Sequence, residues 1–307
     1  MTIARTRAHP LYWAILLLSG VTFGASFSLF KIATRSGHDP LSLAFWYAAL
    51  SVLLLVPFSR RRGCGWSWIN RSTLGFSLVW GLFSTTLPSV FFFHAARELP
   101  AGIMALAIAL VPIATYAGAI WLKHDQPSLR RCIGLGMGAV AALLVVLPET
   151  SLPERSDMVW MLLPFGVVLC YAAEHLYFAF KAPPNVPSEG LLLLMLIGAA
   201  LTLLPLTLVT STFHVPTFPP NKTDLALLGV AIVTVLDYFL FMFLMARAGP
   251  VFTSQAAYVV TLAGVGWGML LFGESHSIWI WIALIMALLG VSLVQPKRLS
   301  SQAGFRR

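Results

Sequence analysis

Residues 169–180 read LCYAAEHLYFAF and place Glu174 beside His175 inside an otherwise apolar run. A second acid, Asp237, lies in VTVLDYFLF, residues 233–241. At the i, i+3, i+4, i+7 spacing of a helix face, Tyr171, Glu174, His175 and Phe178 fall together. Thr234, Asp237, Tyr238 and Phe241 repeat that pattern. A carboxylate flanked by aromatic rings can hold an ammonium group or carry a coupling proton. Further on, Ser254, Gln255, Tyr258 and Thr261 add polar tips to a third run. His94, three residues before Arg97, belongs near the mouth of any path these groups line. Glu174, His175, Asp237, Tyr171, Tyr238, Tyr258, Gln255 and His94 are therefore the candidate substrate-binding residues. A plainer reading stays open for each. The acids can serve as interhelical hydrogen-bond partners, His175 can pack among aromatics, and a tyrosine can belong to the core.

The elements that carry these groups are membrane helices. Of the 307 residues, 58% are hydrophobic and only 10% charged. A soluble domain carries about 25% charged residues. The apolar residues come in ten blocks, approximately 11–33, 41–58, 72–96, 99–122, 128–147, 158–180, 189–211, 224–246, 250–272 and 276–295. About 20 apolar residues suffice to cross a bilayer as a helix. The expected fold is thus an all-α integral membrane protein of ten transmembrane helices. Short turns such as SGHDP, KHDQPS and APPNVPS join the blocks, with no room for a soluble domain. The first block extends past a signal-peptide core and shows no cleavage site before Lys31, so it reads as a retained helix.

The net charge of +9 could suggest nucleic acid, but the basic residues are scattered between apolar blocks. Topology explains them better. Of the 20 Lys and Arg residues, Lys31, Arg35, Arg97, Arg155 and Lys222 fall on one side and the remainder on the other. Such a bias predicts cytoplasmic N- and C-termini in the inner (plasma) membrane. Arg60, Arg61 and Arg62 read as topology anchors. Trp13, Trp66, Trp68, Trp279 and Trp281 sit near helix ends, as interfacial anchors do. Cys64, Cys132 and Cys170 show neither paired nor metal-ligand spacing.

The chain also repeats itself. FFFHAARELPAG (91–102) resembles FMFLMARAGPVF (241–252), and VPIATYAGAIWLKHD (111–125) lies over VTLAGVGWGMLLFGE (260–274). Two halves follow, 1–148 and 149–307, each of five helices. An odd number of helices inserts the second repeat upside down relative to the first. Inverted halves can exchange conformations and so open a midplane site to alternate sides. Glycine runs, GLGMGAVAA (134–142) and AGVGWG (263–268), permit close helix approach, more readily between neighbours in one chain than in a dimer. Pro88 stands at the level in helix three that Asp237 holds in helix eight, where it can bend the helix.

Two five-helix halves, with Pro112 and Lys123-His124-Asp125 in the first and Gly273-Glu274 in the second, resemble the EamA type of the drug/metabolite transporter superfamily. The second half has Thr261 where that pattern has proline. The resemblance implies export of small metabolites, often amino acids, as in exporters of the YddG type. Ala109, Leu110 and Val111 replace the aromatics that strict aromatic specificity would place before Pro112.

Several functions are disfavoured. No Walker-type phosphate loop is present, so ATP does not drive the chain directly, and no cofactor is expected. No spacing of metal ligands or nucleophile supports an intramembrane enzyme. Without Lys or Arg at mid-membrane depth, phosphorylated substrates fit poorly. The expected partners are a small-molecule substrate and the lipid bilayer, with no nucleic acid, and a monomer suffices. The alternative is proton-coupled efflux of lipophilic cations.

Overall fold

A computed structural model of the chain describes residues 10–35, 37–61, 68–98, 107–146, 160, 162–184, 186–216 and 219–272, with isolated positions between 282 and 294. The described residues form helices α1 (Pro10–Thr34), α2 (Pro40–Arg61), α3 (Arg71–Gly81), α4 (Leu87–Glu98), α5 (Val111–Trp121), α6 (Leu129–Val146), α7 (Leu162–Lys181), α8 (Ser188–Val209), α9 (Lys222–Ala248), α10 (Pro250–Thr253) and α11 (Ala256–Phe272). A single π turn, Leu82–Thr86, joins α3 to α4. Among the described residues there is no strand. Among the described residues, seven spans are long and apolar enough to cross a membrane: Pro10–Thr34, Pro40–Pro57, Arg71–Glu98, Leu162–Lys181, Ser188–Val209, Lys222–Ala248 and Pro250–Phe272. This is a multi-pass membrane protein. Of the fourth expected block only α5 and the four residues before it are described, and the tenth is represented only by isolated positions.

Local chemistry sets the helix ends. Asn70 accepts from the Thr73 amide, and the Thr73 hydroxyl oxygen accepts in return from the Asn70 amide. Asn221 and Asp224 form the same reciprocal cap on α9. Gly249, at φ 83°, supplies the left-handed residue that ends α9 and lets Pro250 start α10.

Contacting residues fix how the helices run. Gly20 faces Val259 and Gly24 faces Ala263, so α1 and α11 are parallel. Ser19 meets Asp237 and Leu29 meets Gly229, so α1 and α9 are antiparallel. Trp80 meets Glu174 and Phe91 meets Gly166, so the α3–α4 span is antiparallel to α7. Gly118 meets Leu176, and His124, just past the end of α5, stacks on Phe180, so α5 and α7 are parallel. α2 packs along α8 and α9, and α3 along α8.

The glycine runs pack helices within the chain. A Cβ on Gly134 would stand 2.6 Å from the Gly290 carbonyl, and one on Gly138 would lie within 2.2 Å of the Tyr258 ring. Trp13 packs edge-on against Phe252 at 4.9 Å, and Trp68 covers Gly190. Both indoles thus fill helix-packing positions; Trp66, Trp279 and Trp281 lie outside the described residues.

One end of the bundle is tied by a histidine pair. The His38 and His214 rings stack at 4.1 Å and 7°. His214 Nδ1 hydrogen-bonds the Ser42 hydroxyl at 2.6 Å, and the Trp46 indole donates to the His214 carbonyl at 2.8 Å. Arg97 donates to the His38 carbonyl at 2.7 Å. Burial, and then the neighbouring His38, hold His214 below the usual imidazole range. The ring is therefore neutral at pH 7, as close stacking on a second imidazole requires.

Candidate functional site

A cavity of about 80 Å³ opens where five spans meet. α1 contributes Ser19 and Phe23; Ile108 and Val111 come from the start of α5 and the turn before it. α7 contributes Tyr171, Glu174 and His175, and α9 contributes Asp237, Tyr238 and Phe241. The remaining wall is Thr253, Ser254, Ala256, Ala257 and Val260, around the junction of α10 and α11.

Each acid is held by one polar neighbour. The fully buried Trp80 donates its indole N–H to Glu174 Oε1 at 3.0 Å. A buried indole needs an acceptor, and α7 supplies it. Ser19 donates its hydroxyl to Asp237 Oδ1. Both carboxylates keep a second oxygen, and both residues line the cavity. The structural and the functional readings of these acids are thus compatible. His175 bonds the Tyr171 carbonyl through Nδ1 and sets its ring edge-on to Phe241 at 5.2 Å. A carbonyl only accepts, so Nδ1 carries a proton.

The π turn explains Tyr238. Proline has no amide hydrogen, and its ring clashes with the carbonyl four residues back. For Pro88 that carbonyl belongs to Ser84. The helix widens, Leu87 bonds Leu82 instead, and the Ser84 carbonyl accepts the Tyr238 hydroxyl at 3.0 Å. Single π turns occur often at functional sites for this reason: they free backbone groups. The bend expected at Pro88 takes this form. A smaller cavity of about 20 Å³, lined in part by Tyr47, Ser84, Thr85 and Thr234, adjoins the first and shares Phe23, Tyr171 and Tyr238 with it.

The break between α10 and α11 also follows from its side chains. The Thr253 hydroxyl donates to the Gly249 carbonyl at 2.8 Å, Ser254 to Val251 at 3.0 Å, and the Gln255 amide to Val251 at 3.1 Å. Three successive side chains compete with the backbone for its acceptors. The turn that results faces the cavity with Thr253 and Ser254.

Five of the eight residues expected from sequence line this cavity: Glu174, His175, Asp237, Tyr171 and Tyr238. Three do not. Tyr258 is buried against Gly138 and donates to the Leu135 carbonyl at 2.9 Å. Gln255 turns back onto α10, with Oε1 buried and without a partner among the described residues. His94 bonds the Val90 carbonyl at 2.8 Å, away from the wall. Phe178, on the expected face, packs instead against Trp80, with ring centres 4.9 Å apart and the rings tilted by 56°. Sequence reasoning missed Ser19 and Trp80. The serine lies in LSGVTFGASFS (18–28), whose small residues are the signal that could have pointed to a closely packed helix.

Residues 11–147 match the EamA-like transporter family. The match spans a little less than half of the chain, and that part is similar to the EamA-like transporter family. That family lies within the drug/metabolite transporter superfamily, and its members are membrane transporters. One solved crystal structure superimposes with a TM-score of 0.72 over 91% of this chain and 94% of its own, at 13% identity. That likeness is one of fold. No curated protein matches the chain. The EamA-like match covers α1 to α6, and the cavity lies where those helices meet α7, α9 and α11.

Proposed function

We propose that the chain is a secondary transporter that exports small ammonium-bearing metabolites, amino acids foremost, by alternating access. Ten spans form two inverted repeats, 1–148 and 149–307, with both termini cytoplasmic in the inner membrane, and a monomer carries the activity. The central observation in favour is the cavity itself. It is walled by helices from both halves and presents Glu174 and Asp237 from two different spans.

The packing pattern supports the repeat. If the halves are exchanged, α1 with α11 becomes α5 with α7, and both pairs are parallel. α1 with α9 becomes α7 with the α3–α4 span, and both pairs are antiparallel. Each of the latter pairs is crossed by a carboxylate hydrogen bond, Ser19–Asp237 in one and Trp80–Glu174 in the other. A two-fold swap of conformations would loosen one bonded pair as it tightens the other. The break after Thr253 and the π turn before Pro88 place irregular backbone beside the cavities, where it is tolerated in a membrane.

Purified protein in liposomes should carry labelled amino acids down their gradient without ATP. Flux equal to that of protein-free vesicles, for every amino acid tried, would remove the proposal.

A further inference from the structure

We infer that the central cavity recognises its ligand through a primary ammonium group on an apolar body, with no seat for a carboxylate; this rests on reading that cavity as the translocation site. Amino acids then bind by one end only, and relatives that lack the free carboxylate bind more tightly.

The ionisable groups in the wall are two acids and one imidazole, Glu174, Asp237 and His175. Among its described residues there is no lysine or arginine, and the sequence has none from 248 to 296. Basic side chains on the neighbouring helices are engaged elsewhere. Lys31 and Arg35 cover the Phe272 ring at 5.3 and 5.1 Å, and Arg247 covers Phe243 at 5.6 Å. A ligand carboxylate here would meet two carboxylates and a few hydroxyl dipoles. A buried anion without a cation or several donors is strongly disfavoured.

The hydrogen-bonding capacity fits one kind of cation. Trp80 occupies Glu174 Oε1, Ser19 occupies Asp237 Oδ1, and the Tyr171 carbonyl occupies His175 Nδ1. Glu174 Oε2, Asp237 Oδ2 and, in the neutral ring, His175 Nε2 remain as acceptors. Three acceptors suit the three N–H donors of a primary ammonium. A quaternary ammonium has no N–H and would leave all three unbonded. Beside the hydroxyls of Thr253 and Ser254, the wall offers an apolar stretch of Phe23, Phe241, Ile108, Val111 and Val260 that suits a hydrocarbon body.

Calorimetric titration of the detergent-purified full chain tests this with compounds sharing one side chain: leucine, leucinamide, isopentylamine, 4-methylpentanoate and isopentyltrimethylammonium. Isopentylamine and leucinamide should bind at least tenfold tighter than leucine. 4-Methylpentanoate should not bind, and the trimethylated amine should be at least tenfold weaker than isopentylamine. Leucine binding tighter than both carboxylate-free amines would overturn the inference by revealing a carboxylate seat. Equal binding of the primary and quaternary amines would overturn the role of the three acceptors and favour a lipophilic-cation site. Amino-acid flux in liposomes that isopentylamine fails to inhibit overturns the inference and leaves the transport reading standing. Absence of ATP-independent flux for any amino acid overturns that reading itself.

Discussion

Glu174→Gln and Asp237→Asn, combined in one chain, should abolish most transport while the protein still purifies as a monodisperse species. The amides keep shape and keep an acceptor for Trp80 and Ser19, the two hydrogen bonds that hold the acids in place. They lose the negative charge that meets the ligand. A hydrogen bond to a charged group contributes about 1.5–3 kcal/mol. Losing one such bond lowers flux on the order of ten- to a hundredfold at subsaturating substrate, and losing both lowers it further. Liposome flux normalised to inserted protein is the measurement. Wild-type flux in the double variant would assign both acids a purely structural role.

Gly24→Val should cause a large loss of stability. An added Cβ would stand 2.8 Å from the Ala263 Cβ, 2.9 Å from the Gly264 amide nitrogen and 3.0 Å from the Val260 carbonyl oxygen. Two of these are backbone atoms of α11 and cannot rotate away. Overpacking a well-filled contact costs about 1–3 kcal/mol, and the β-branched side chain adds two further methyl groups. The seam between α1 and α11 would have to open along its length. Thermal unfolding in detergent should show a clear drop in midpoint. Gly136→Val is the comparison, because a Cβ there meets nothing within 4 Å. An equal effect at Gly24 and Gly136 would show that helix propensity, not close approach, sets the cost.

Both predictions rest on features that the sequence reveals unequally. The acids were legible because charge inside an apolar block is rare and costly. Helical spacing then placed Tyr171 beside Glu174 and His175, and Tyr238 beside Asp237, and all five line one cavity. Tyr258 shows where that logic stops. Its polar tip needed a partner, but a backbone carbonyl served, and the closeness of Gly138 could not be read from either run alone. Gln255 fails similarly: its amide finds an acceptor four residues back, in α10. Trp80 looked like one more aromatic, since a tryptophan reveals its role only through the acceptor opposite it. The proline at 88 was visible, whereas the π turn it forces and the Tyr238 hydroxyl that takes the freed carbonyl are tertiary facts.

The most direct measurement of the transport path is at Ala257, a small residue in the cavity wall. In a chain with Cys64, Cys132 and Cys170 replaced by serine, Ala257→Cys should react with a membrane-impermeant thiol reagent added to either face of the membrane. The transported amine or amino acid should slow both reactions. Labelling from one face alone, or labelling that the transported compound leaves unchanged, would contradict alternating access through this cavity.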